Sequence, residues 1–121
     1  MISDQAPEQL ICELIREAAL RDVRQELPHS ITVTIDEISE REEQGSRPFY
    51  DIHATIHVER DSQRGILLGH QGERLKDIGI RARADVERIL TARVFLGLHI
   101  KVSKEWQRDP KLLEKLGFSD K

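Results

Sequence analysis

From Glu8 to about Glu26, Leu10, Ile11, Leu14, Ile15, Ala18, Leu20 and Val23 recur near helical spacing among charged residues, which predicts an amphipathic helix stopped at Leu27-Pro28. The period then changes. Ser30 to Ile38 alternates, with Ile31, Val33 and Ile35 on one face and Thr32, Thr34 and Asp36 on the other, the pattern of a half-buried strand. Glu40 to Pro48 is polar and turn-rich, with Gly45 and Pro48, and reads as a solvated hairpin connection. A second strand follows, in which Tyr50, Ile52, Ala54, Ile56 and Val58 share one face and Asp51, His53, Thr55, His57 and Glu59 the other. From Asp61 a short helix carries Ile66, Leu67 and Leu68 into Gly69. A longer helix resumes at Glu73, with Leu75, Ile78, Ala82, Val86, Ile89 and Leu90 on one stripe. Val94, Leu96, Leu98, Ile100 and Val102 predict a third strand, and Leu112, Leu113 and Leu116 a last short helix. The order predicts an α+β fold, a three-stranded sheet covered on one face by helices.

At 121 residues the chain has the length of one domain, and no linker or repeat divides it, so residues 1–121 are expected to form a single unit with a linker-like segment at 1–7. No apolar run approaches the roughly 20 residues of a membrane span, and the opening MISDQAPEQL has neither the basic start nor the apolar stretch of a secretory signal. Cys12 stands alone, which fits a reducing cytoplasm and provides neither a disulfide nor a multi-cysteine zinc site. The net charge of −3 argues against a uniformly basic nucleic-acid binder, but the average conceals a gradient. Residues 1–59 carry 5 Lys/Arg against 13 Asp/Glu, residues 60–104 carry 10 against 5, and the last 17 balance at 4 against 4. Positive charge collects in the middle, as for a local phosphate-facing patch on an anionic body.

That basic middle contains Gly69-His70-Gln71-Gly72. Two glycines three apart between helices leave backbone without Cβ where another chain approaches closely or where φ is positive. The helix after Gly72 aims its unpaired N–H groups and the positive end of its dipole at the same space, which favours phosphate oxygens. Arg64, Arg74, Lys76, Arg81 and Arg83 lie around the loop in sequence, so the segment suits clamping of a nucleic-acid backbone. A bare GxxG also serves as a corner between two helices. The preceding aliphatics, the basic helix and the strand order make the combination more specific. Ile66, Leu75 and Ile52 are candidates for an aliphatic platform under bases, each being equally a core position.

Other groupings carry less chemistry. His53 and His57 have a spacing that converges on a helix, whereas on a strand it separates them by about 13 Å, too far for one metal ion. A groove-facing surface and internal packing both remain open for them. His29, His70 and His99 lack cysteine partners, and Asp51, Glu59 and Asp61 read as ordinary surface carboxylates. Cys12 has no base beside it in sequence. Trp106 and Phe118 read as anchors of the last helix rather than base-stacking residues. Gly79 costs a helix about 1 kcal/mol relative to alanine, a cost that is either offset by close backbone packing or simply tolerated.

On SDQ at Ser3 to Gln5, ELIRE at Glu13 to Glu17, ELPHSITVTI from Glu26, HVERDSQRGILLGHQGERLKDIGIRAR from His57 and LHIKVSKEW from Leu98, nearly the whole chain resembles the C-terminal KH domain, type II, of the Era family of ribosome-assembly GTPases. The resemblance implies a mixed sheet and a groove for about four nucleotides of single-stranded RNA beside the GxxG loop. The implied RNA is small-subunit ribosomal RNA near its 3′ end, with the small ribosomal subunit as the wider partner and contacts on Arg64, Ile66, Gly69, His70, Gln71, Gly72, Arg74, Leu75, Lys76 and Arg83. Family members commonly carry Lys after the first loop glycine, where this chain has His70. They also carry an N-terminal GTPase domain, but no GxxxxGK(S/T) occurs here, so neither nucleotide hydrolysis nor a cofactor is expected of this chain. The competing reading is a protein-interaction module of KH-like fold with no RNA ligand.

Overall fold

The computed structural model describes residues 7–21, 23, 31–41 and 47–103. The predicted last helix, Trp106, Phe118 and His29 lie outside them. Helix α1 (Pro7–Leu20) is followed by strands β1 (Thr32–Arg41) and β2 (Phe49–Val58), helix α2 (Asp61–Leu68), a single 3₁₀ turn at His70–Gly72, helix α3 (Glu73–Leu90) and strand β3 (Arg93–Val102). The sheet order is β1-β2-β3. β1 runs antiparallel to β2, and β3 pairs parallel to β2 from Phe49↔Arg93 to Val58↔Val102. A parallel neighbour demands a crossover, and α2, the glycine turn and α3 are that crossover. The glycine loop thus stands between the two helices that carry the chain from one central strand to the edge. The α+β class and the helix-covered face are as the sequence predicts, and the mixed sheet is as the resemblance implies.

One core holds the layers together. Ile11, Ile15, Ala18 and Ala19 of α1, Leu67 of α2 and Ile78, Ala82 and Val86 of α3 bury against Ile52, Ala54, Ile56 and Val58 of β2. Ile15 and Ile52 are wholly buried, each contributing about 1.5–3 kcal/mol relative to exposure. Arg16 Nε donates to the Ile31 carbonyl at 3.1 Å, tying α1 to the entry of β1.

Four expectations need correction. α1 ends at Leu20 rather than near Glu26, because the chain tightens into turns in which the Arg21 and Val23 amides bond back three residues to Ala18 and Leu20. β1 continues past Ile38 to Arg41. A bulge between Ile35 and Glu37 shifts the register, so Ile38 rather than Glu37 turns to the core side opposite Ile52, and the simple alternation breaks. Asp36, the extra residue, accepts a 2.7 Å bond from Thr55 Oγ1. Ile89 does not join the α3 stripe and is exposed. Ile52 is no platform, being sealed in the core.

The face of the sheet away from the helices carries polar pairs. Arg41 grips Asp51 with two 2.7 Å bonds and lies over the Phe49 ring at 4.1 Å, with Arg93 5.1 Å from the same ring. The Arg41 bond holds the Asp51 carboxyl below the usual carboxylate range. His57 is buried on this face, its Nε2 2.9 Å from Thr34 Oγ1 and its Nδ1 3.0 Å from Ser103 Oγ, so packing is its role. His53 stays half-buried against Phe95. Among the described residues no cluster of His, Cys, Asp or Glu is arranged for a metal ion, and no helix is long and apolar enough to cross a membrane.

Candidate nucleic-acid interface

Gln63 sets the start of α2: its side-chain oxygen accepts from the Glu59 amide at 2.9 Å and the Arg60 amide at 3.0 Å. The helix ends where the Gly69 amide bonds the Gly65 carbonyl at 2.9 Å and the backbone turns to φ +71, ψ −172, a region that only glycine enters readily. A Cβ at Gly69 would meet Arg74 Cβ at 2.7 Å and Arg74 N at 3.0 Å. Glycine is therefore required there for close packing of the loop on α3. Gln71 (φ 55) and Gly72 (φ 78) are both left-handed, so three of four loop residues occupy positive φ. Around Gly72 the space is open, with nothing within 4 Å of a hypothetical Cβ. No side chain caps α3 at Gly72; the Gly72 amide bonds the Gly69 carbonyl at 3.3 Å and the Glu73 amide turns back to the His70 carbonyl, so the helix start offers an anion the positive end of its dipole.

Beside this loop runs a groove of about 400 Å³ between α3 and β3. Gly72, Leu75, Lys76, Gly79, Ile80 and Arg83 supply the helical wall, at the three- and four-residue steps that share one helix face, and Phe95, Leu96 and Leu98 supply the strand wall. Leu75, Leu96 and Leu98 are half-buried, whereas Lys76 and Arg83 are exposed. Of the three exposed large hydrophobics among the described residues, Ile80 and Phe95 lie here. A Cβ at Gly79 would rest 3.8 Å from Leu98 Cδ1, an ordinary contact, so close packing does not demand this glycine.

The loop also faces a second cleft, of about 320 Å³, on the α1 side. Gly69, His70, Arg74, Arg81 and Arg21 line it together with Glu73 and Asp77. Of the residues the sequence singles out, Gly72, Leu75, Lys76 and Arg83 thus share the groove, and Gly69, His70 and Arg74 look across the loop into the other cleft. Gln71 is exposed. Ile66 is half-buried and packs against the core, and Arg64 is exposed on α2 and lines neither space. Sequence reasoning missed Gly79, Ile80, Phe95, Leu96 and Leu98. The signal was present for two of them: Ile80 is apolar off the buried stripe of α3, and Phe95 is apolar out of phase with Val94, Leu96 and Leu98.

An apolar floor, a rim of two exposed cations and an open glycine loop at the start of a helix form a site for a chain of anionic links bearing planar groups. A family model described as "KH domain" matches residues 26–107. The chain belongs to the KH domain family. It is 52% identical over 118 residues to GTPase Era of Streptomyces coelicolor, covering 97% of this chain and 37% of that protein. The figures for GTPase Era of Mycobacterium tuberculosis are 53% over 117 residues, 97% and 38%. The chain therefore spans well under half the length of these relatives, and it corresponds to their KH segment rather than to the nucleotide-hydrolysing part. Among solved structures, Era in complex with MgGDPNP and nucleotides 1506–1542 of 16S ribosomal RNA superposes with a TM-score of 0.86 at 37% identity, covering 99% of this chain and 39% of that one. Aquifex aeolicus Era bound to GDP and aluminium fluoride gives 0.83, also at 37% identity.

Proposed function

We propose that this chain binds single-stranded RNA, laying bases along the groove between α3 and β3 while the Gly69–Gly72 loop holds the phosphates. The carrying observation is the juxtaposition of the open, uncapped loop at Gly72 with an apolar groove whose rim bears Lys76 and Arg83. Phosphates meet the positive end of the α3 dipole and the two side chains, and bases leave water for Leu75, Leu96 and Leu98. From Gly72 to Arg83 the helix wall rises about 16 Å, room for about three or four stacked or splayed nucleotides. Likeness to Era solved with nucleotides 1506–1542 of 16S ribosomal RNA supports that RNA as the ligand; in this reading the chain binds its 3′ end on the small subunit, in the cytoplasm. It also supports a role as part of, or relative to, an Era-type GTPase acting in ribosome assembly. Leu75, Lys76 and Arg83 contact RNA in the groove, the loop residues Gly69, His70, Gln71 and Gly72 contact its backbone, and Arg74 acts from the far side of the loop. Arg64 and Ile66 act at the edge, through charge and by backing the loop.

Titration of a fluorescent RNA matching nucleotides 1506–1542 tests this reading. His70 and Gln71 are exposed, and Asp tolerates the left-handed backbone at position 71, so a His70→Asp, Gln71→Asp variant folds while setting two negative charges against the phosphates. Binding by the unsubstituted chain and its loss in the variant is the expected result. Equal binding by both would remove the loop from the interface, and binding by neither would favour a protein ligand.

A further inference from the structure

We propose that Phe95 is a stacking platform for one nucleobase at the far end of the groove, with His53 positioning its ring. The inference rests on the RNA reading above and assigns a base subsite within it. β3 is the edge strand of the described sheet. Its core-side residues are Val94, Leu96 and Leu98, so Phe95 springs from the opposite face, yet it lines the groove and is 45% exposed. Its ring therefore reaches around the sheet edge to the mouth of the groove. Ile80, 51% exposed, stands on the facing helical wall. An aromatic face on one side and an aliphatic branch on the other suit a flat base, which every nucleotide offers.

The ring is held by what lies behind it. The His53 imidazole sits 5.6 Å from the Phe95 ring, centroid to centroid, with planes tilted by 55°, a favourable aromatic contact. Gly97 is the register partner of His53 across the parallel pair. A Cβ there would lie 2.9 Å from His53 Nδ1 and 3.3 Å from Phe95 Cε2, so the missing side chain is what admits both rings. A scattered surface phenylalanine needs no such arrangement.

The ends of the groove can be ordered. Val94 N donates to Glu87 Oε2 at 2.9 Å and Gly79 faces Leu98, so Phe95 lies toward Ile80 and Arg83, away from the clamp at Gly72. The stacked base is then the last one in the groove, three or four nucleotides from the clamp at roughly 16 Å of helix rise. The cationic rim continues to that end through Arg83 and keeps a phosphate beside the base, which selects a nucleotide over an apolar peptide side chain.

The test uses the RNA of nucleotides 1506–1542 with 2-aminopurine placed singly along its unpaired stretch, titrated with the unsubstituted chain, Phe95→Leu, Phe95→Trp and His53→Ala. Thermal melting is recorded for each. Phe95→Leu keeps an apolar side chain at an exposed position, so the fold survives. Its affinity falls roughly 5- to 150-fold, the range for loss of one base–aromatic stack. Quenching disappears at one position only, while Phe95→Trp retains both affinity and quenching. His53→Ala, with Phe95 intact, weakens binding by a smaller factor and relieves quenching at that same position, a readout that general destabilisation would spread over all positions. If the unsubstituted chain binds and Phe95→Leu binds equally, with every fluorescence signal unchanged, this inference alone is overturned. If the unsubstituted chain binds no RNA, both readings fall together.

Discussion

Gly69 and Gly72 look equivalent in sequence and are opposites in structure. At Gly69 an added methyl strikes Arg74 at 2.7 Å, and the backbone occupies a conformation nearly reserved for glycine. Gly69→Ala should therefore cost about 2–3 kcal/mol of folding stability, visible as a lower urea midpoint. At Gly72 the added methyl meets nothing, so Gly72→Ala costs only about 1–2 kcal/mol for the left-handed backbone. It should nonetheless impair RNA binding, because the methyl stands in the open space the phosphates need. Unfolding curves read beside RNA titrations separate the two: the larger stability loss belongs to Gly69, and a binding loss out of proportion to stability belongs to Gly72. Equal stability losses would mean that the Arg74 contact relaxes. Cys12, the other residue with a chemistry to exclude, is pushed up to about 11 by burial, with Glu8, Glu13 and Asp36 adding to the effect, so it remains an inert thiol.

Helix α3 ends on a residue poorly suited to the position. Thr91 caps it in the left-handed region (φ 52, ψ 50), where a β-branched side chain is crowded and glycine is the usual solution. Thr91→Gly should raise stability by roughly 0.5–1 kcal/mol, the relief of the left-handed penalty less the entropy that glycine adds to the unfolded chain. An unchanged urea midpoint would show that the Thr91 side chain makes a compensating contact. Much of the element pattern was legible because it follows burial: the apolar faces of β2 and β3, the α3 stripe through Ile78, Ala82 and Val86, and the glycine break between α2 and α3. What stayed hidden are places where one element changes phase or acts off its buried face. The bulge at Asp36 shifts the face of β1 after Ile35, so alternation ends while pairing continues to Arg41. Ile80 and Phe95 sit off the buried positions of their own elements, and only the approach of α3 to the edge of β3 brings them into one groove. Likewise the basic residues around the loop are adjacent in sequence but divided in space, Lys76 and Arg83 on one side and Arg74 and Arg81 on the other, because seven residues of helix bring a side chain back almost to the same face whereas two turn it to the opposite side.

At the scale of the molecule the charge gradient becomes a statement about how RNA is bound. The acidic residues concentrate before Glu59, and the chain as a whole is at −3, so long-range attraction to a polyanion is weak and affinity must come from the groove. Few phosphates are then neutralised at once. If the start of α3, Lys76 and Arg83 engage two to four of them, log K should fall with log salt at a slope of roughly −1.5 to −3, since each phosphate on a single strand contributes about −0.7. Removing both side chains with Lys76→Ala, Arg83→Ala should flatten that slope by about 1.4 and leave only the part due to the start of α3. Arg74→Ala, across the loop, should change it by at most about 0.7. Titrations at several salt concentrations decide the matter: a steep slope unaffected by the double substitution would place the electrostatic contact in the Arg74–Arg81 cleft, whereas a slope near zero in the unsubstituted chain would mean that no phosphate is held at all. The predicted middle range follows from the architecture, in which one uncapped helix start and two exposed cations serve a groove whose capacity is set by the length of α3 that faces β3.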